Sequence, residues 1–115
     1  MGDSSVKKVE ARFSPHGEMG QQYLASGRAI SMRRWEENSE SALLPESVRT
    51  YETVGYVLYG EAELYVEGQL LHLRKGDSWV VPKGAKHQYR ILERFGAIEA
   101  TSPPAHMKDR DAKPK

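Results

Sequence analysis

The sequence has 115 residues and a mass of 13.0 kDa, room for one domain and not for two. Seventeen Lys plus Arg against sixteen Asp plus Glu give a formal net charge of +1; with the signs interspersed, this argues against a dedicated surface for nucleic acid or anionic membrane. The chain has no cysteine, which excludes thiolate zinc sites, cysteine nucleophiles and redox pairs, and no apolar run approaches the ~18 residues of a membrane helix.

In chain order, residues 1–10 are polar apart from Val6 and Val9, carry no apolar signal region, and are expected to be a flexible leader to a cytoplasmic protein. Residues 11–102 are expected to form a single domain, and 103–115, from Pro103-Pro104 to Pro114-Lys115, a flexible charged tail. Between the ends, Gly and Pro punctuate short apolar segments and no stretch sustains a 3.6-residue period, so the fold class is all-β. Strands are predicted at 28–35, 51–59, 62–66, 70–73, 79–81, 87–92 and 95–101, all rich in β-branched and aromatic residues. The segment 38–48 is polar and Pro-broken and reads as a loop. Ala62, Leu64 and Val66 alternate with Glu61, Glu63, Tyr65 and Glu67, the period of a strand with one dry face. Glu67-Gly68 then supplies a two-residue hairpin turn.

The most informative stretch is Gly76-Asp77-Ser78-Trp79-Val80-Val81-Pro82-Lys83-Gly84-Ala85-Lys86-His87. Gly76-Asp77 turns the chain into a short apolar strand, Pro82 stops it, and the following loop delivers His87 to the start of the next strand. There His87, Tyr89 and Ile91 share one face, the more apolar and inward one. The spacing G-x5-P-x-G-x2-H resembles the second conserved motif of the cupin superfamily, and Tyr56 to Leu64 resembles the strand and turn that close its first motif. The resemblance implies a small antiparallel jelly-roll β-barrel whose open mouth holds a metal or a small molecule.

The first cupin motif has the form H-x-H-x3/4-E-x6-G. Anchored on Gly60, it puts the carboxylate ligand at Thr53 and the histidines at Ser47 and Arg49, or at Glu46 and Val48. Of the usual ligand set His87 alone stands in register, so the resemblance implies a dismantled metal centre and no cofactor is expected. The leading expectation is a small-molecule-binding protein with a degenerate metal site. The alternative is a metal-dependent enzyme of dioxygenase or isomerase type, in which His87 joins Glu46, Glu52 or Glu99 in a weak divalent site. A regulatory domain acting through its outer sheet is a third reading.

The candidate ligand-binding residues are His87, Arg49, Thr53, Tyr51, Glu52, Val57, Tyr89 and Glu99. Arg49 is either a surface charge at a loop end or a cation turned into the mouth, where it would favour an anion. Glu52 reaches the inside only if a bulge or a one-residue slip turns it. Glu99, in a largely uncharged strand, is exposed at an edge or buried with a partner. Arg33-Arg34 reads as a solvated strand face, His72 as an outward histidine, and His16 and His106 as unrelated to the site. The expected guest is a small organic anion with an apolar body. Ile30, Met32 and Trp35 offer apolar surface beyond one barrel's interior, so a homodimer is expected.

Overall fold

The computed structural model describes residues 6–17, 20–38 and 43–106. After a single 3-10 turn, Ala11–Phe13, it consists of six strands: β1 (Gln21–Ser26), β2 (Ser31–Glu37), β3 (Glu52–Val66), β4 (Gln69–Arg74), β5 (Ser78–Val81) and β6 (His87–Ser102). They pair antiparallel in the order β1-β2-β6-β3-β4, with β5 on β3. The sheet curls into a jelly-roll barrel, the all-β fold expected. Among the described residues no helix is long and apolar enough to cross a membrane.

The core follows from alternation. Thr53 and Val57 on β3 face inward, and beyond a bend Ala62, Leu64 and Val66 do so again. On β6 the inward set is Ile91, Phe95, Ala97, Glu99 and Thr101, and Leu73, Trp79 and Val81 complete the packing. The β3–β4 hairpin turns on Glu67 and Gly68, both at positive φ (47° and 77°), with Val66 opposite Gln69. Two left-handed residues in a two-residue loop match the right-handed twist of the flanking strands.

The strand predictions need correction in four places. Segments 51–59 and 62–66 are one strand, β3, and 87–92 and 95–101 are one strand, β6. The chain bends at Gly60 (φ 86°) without breaking, while the β3–β6 register shifts between Val57 and Ala62. Only a glycine fits here, because a Cβ at Gly60 would lie 1.9 Å from the Arg94 carbonyl oxygen. The sequence Gln21-Gln22-Tyr23-Leu24-Ala25-Ser26, assigned no strand above, forms β1 by pairing with β2, Gln21 opposite Trp35 and Tyr23 opposite Arg33. Arg28 lies in the β1–β2 turn, which is closed by Gly27 N–H donating to Ile30 O at 2.7 Å.

At the C-terminal end Pro104 and Ala105 are buried, with Ala105 N–H donating to Thr101 Oγ1 at 2.9 Å. Barrel packing therefore continues past Ser102. Of the residues expected to offer outer apolar surface, Ile30 and Met32 are exposed. Trp35 is not: it turns into the barrel, its ring centroid 5.2 Å from both Tyr89 and Phe95.

Candidate functional site

The mouth of the barrel holds a cavity of about 410 Å³. One wall is built by the segment after the undescribed residues 39–42, which lies antiparallel along the start of β6. Leu44 N–H donates to Tyr89 O (2.9 Å), Ser47 and His87 exchange backbone bonds (2.8 and 2.9 Å), and Gly84 N–H donates to Arg49 O (2.9 Å). This pairing fixes the segment's register, so Leu44, Pro45, Ser47 and Arg49 all line the cavity. The residues expected to form a loop thus act as a short extension of the sheet. Arg33 and Trp35 enter from β2, Tyr51 from just before β3, Thr53 from the start of β3, and His87, Tyr89 and Glu99 from β6.

A buried ion pair forms the polar side of the cavity. Glu99, 2% exposed, accepts from Arg33 Nε at 2.7 Å, and Arg33 Nη1 donates to Tyr51 Oη at 3.2 Å. The Arg33 guanidinium also lies 5.4 Å from the centre of the Tyr51 ring. Arg33 and Glu99 are directly opposite in the β2–β6 register, so the pairing of these strands brings the two charges together. A carboxylate this deep needs such a partner, since desolvation of an isolated charge would cost several kcal/mol.

Trp35 and Tyr89 add an aromatic part to the lining, with Trp79 packed behind it. Trp79 Nε1 donates to Tyr89 Oη at 3.2 Å, and Tyr89 meets Trp35 and His87 edge-on with centroids at 5.2 and 6.0 Å. Burial, reinforced by the Glu99 charge, pushes the Tyr89 hydroxyl well above its ordinary range, so Tyr89 is neutral at physiological pH. His87 Nδ1 lies 3.0 Å from the Ala85 carbonyl oxygen. A carbonyl only accepts, so the proton sits on Nδ1 and the lone pair of the neutral ring is on Nε2. Burial lowers the imidazole's pKa; the Ala85 bond and Glu99 pull it up, and Arg49 and Arg33 push it down. The net direction is downward, and His87 is neutral at pH 7.

The cavity brings together six of the eight candidate residues: His87, Arg49, Thr53, Tyr51, Tyr89 and Glu99. Arg49 is turned inward. Val57, 0% exposed, belongs to the core and not to the lining. Glu52 is exposed on the outer face, because the β3–β6 register runs unbroken from Glu52 to Val57 and no bulge rotates it inward. Glu46 is also outside, 3.8 Å from Lys86 Nζ. Among the lining residues that sequence reasoning left out are Arg33, Trp35 and Gln21. The alternation Ser31, Arg33, Trp35 on β2 carried the signal, since an inward tryptophan implies an inward Arg33.

Ser47, Arg49, Thr53 and His87, the positions to which the motif register assigns metal ligands, do converge on one cavity. Their chemistry does not suit a divalent cation. One imidazole and two hydroxyls are weak donors together, and a guanidinium donates hydrogen bonds and repels a cation. Among the described residues no three His, Asp or Glu side chains cluster as a metal site. The metal-dependent alternative also loses Glu46 and Glu52, which lie outside, while Glu99 is committed to Arg33.

Residues 39–94 match the cupin domain family. The fold is similar to that of an RmlC-like cupin from Shewanella frigidimarina NCIMB 400, with a TM-score of 0.76 and 21% identity over 91% of this chain and 96% of that one. It is similar also to KdgF from Halomonas sp., with a TM-score of 0.74 and 22% identity over 91% and 98% of the two chains. An uncharacterized protein of Aquifex aeolicus (strain VF5) is 40% identical over 50 residues, 44% of this chain and 41% of that protein. The match therefore spans about two fifths of that relative's length. The matched segment, the barrel and the Gly76–His87 motif agree: the chain has the cupin fold and is similar to the cupin domain family over residues 39–94.

Proposed function

We propose that this cupin-fold protein binds a small organic anion in the barrel mouth and holds no tight transition metal. The observation that carries this is Arg49: a guanidinium lines the cavity beside Ser47, Thr53 and His87, where the motif register would put ligands to a cation. A fixed cation in the wall, where the motif register puts a metal ligand, favours an anionic guest. Arg33 adds a second guanidinium from β2, held in place by Glu99 and Tyr51. The acids Glu36 and Glu37 edge the cavity at the end of β2, and Glu36 is engaged by Arg94 at 2.7 Å. Trp35, Leu44, Pro45 and Val81 supply apolar lining for the guest's body.

The test is a panel of small organic acids measured by thermal shift and calorimetry on the wild type, Arg49→Ala and His87→Ala. A bound acid is expected to raise the unfolding midpoint of the wild type. Arg49 is half-buried, and a guest seated on it completes its desolvation, so Arg49→Ala should then weaken binding by about 2–5 kcal/mol. Stabilisation by an acid that is unchanged in both variants would place its site elsewhere. Elemental analysis of protein purified without chelators should find well under one metal per chain. A full equivalent that disappears in His87→Ala would overturn the metal-free half.

A further inference from the structure

We infer that the guest is a hydroxy acid: its carboxylate meets Arg49, and a hydroxyl on the same molecule donates to Nε2 of His87. This rests on the anion-binding function proposed above and adds a second, independent requirement on the ligand. Two polar groups in the cavity wall call for opposite chemistry. A guanidinium has donors and no acceptor, so it selects a carboxylate. The His87 ring has spent its proton on the Ala85 carbonyl, so Nε2 presents a lone pair, and among the described residues nothing donates to it. A carboxylate only accepts and cannot satisfy that nitrogen. A hydroxyl can.

A third group points the same way. Thr53 is 6% exposed and lines the cavity, yet its hydroxyl has no hydrogen-bond partner among the described residues. A guest hydroxyl both donates and accepts, so one such group can give its proton to His87 Nε2 and receive one from Thr53. Burial keeps the imidazole neutral and so keeps Nε2 an acceptor at neutral pH. Sites that hydrogen-bond a ligand hydroxyl discriminate strongly against the analogue without it, because the site's own polar groups are then left unpaired.

The experiment is titration calorimetry at pH 8 on the full chain with acids matched except for one hydroxyl: mandelate against phenylacetate, 3-phenyllactate against 3-phenylpropionate, and malate against succinate. In at least one pair the hydroxy acid should bind the wild type roughly tenfold more tightly. His87→Leu should erase that preference while still binding the plain acid, whereas Arg49→Gln should weaken both members of the pair alike. Should His87→Leu not fold, His87→Gln, which keeps a side-chain acceptor, takes its place and should retain part of the preference. Equal affinities within every pair, with both members dependent on Arg49, would overturn the hydroxyl requirement and leave the anion-binding function standing. A hydroxyl preference that survives in folded His87→Leu would overturn the role given to His87. Failure of every acid to bind at millimolar concentration would overturn the anion-binding function itself.

Discussion

Glu99 and His87 reach the same cavity and face opposite problems, a charge that must be kept and a charge that must be avoided. Removing the Arg33 partner strands the Glu99 carboxylate, so Arg33→Met is expected to cost roughly 3–5 kcal/mol of stability by urea titration. Arg33→Met with Glu99→Leu should recover most of that loss, and a double-mutant cycle would read the difference as coupling. At His87 the pH dependence runs in the same direction as for a paired acid, although its cause is burial and not a partner charge. Its folded pKa is lowered below the ordinary 6.5, so the unfolded chain takes up the proton first. Its contribution should be full above pH 6.5 and be lost as pH falls from there through the folded value. His87→Gln is expected to flatten that part of the stability profile, as thermal unfolding between pH 5 and 8 would reveal. His87 and its inward face were legible in the sequence because a turn motif and a strand period agree there. Arg33 was not, because its partner stands 66 residues away and strand register, not local pattern, joins them. Beside Arg34 it looked like half of a solvated pair.

Gly60 and the Glu67-Gly68 turn show how the same residue type can serve as a stop or as a hinge within one strand pair. The turn was fully legible, since an alternating strand running into Gly at the second loop position admits few other conformations. Glu67 sits at φ 47°, where a long side chain is disfavoured and asparagine is not. Glu67→Asn should therefore raise stability by about 0.5–1 kcal/mol, read as a higher urea midpoint at constant slope. Gly60 was misread as a break between two strands because glycine punctuation more commonly ends a strand than bends one. Gly60→Ala meets both the Arg94 carbonyl and a positive φ. It should cost about 3 kcal/mol or more, with insoluble expression as the extreme outcome. The strand β1 left no period in the sequence; it is ordered by the register of β2 beside it.

For the whole molecule, the described residues place an apolar core beneath the cavity of the barrel mouth, which we propose holds no metal. Treatment with EDTA is accordingly expected to leave the thermal midpoint unchanged, whereas a bound acid should raise it with the logarithm of its free concentration, equivalent to about 2.7 kcal/mol at one hundred times its Kd. A chelator-induced drop reversed by one cation would contradict the metal-free proposal. The architecture was legible from turn spacing and alternation because those patterns recur along the whole chain. The cavity was legible only in the segments that carry the two motifs. The long β3–β6 pairing bears finally on how the chain reaches this shape. At one end Val66 stands opposite His87, and at the other Glu52 stands opposite Ser102, so zipping the two strands together draws in an ever longer loop as it proceeds. Closing long loops costs chain entropy before any burial compensates. The β3–β4 hairpin should form first, and the Arg33–Glu99 end of the barrel last, in a folding reaction of milliseconds to seconds. The Arg33–Glu99 side of the cavity is thus the final part of the protein to take shape, and variants there should speed unfolding far more than they slow folding.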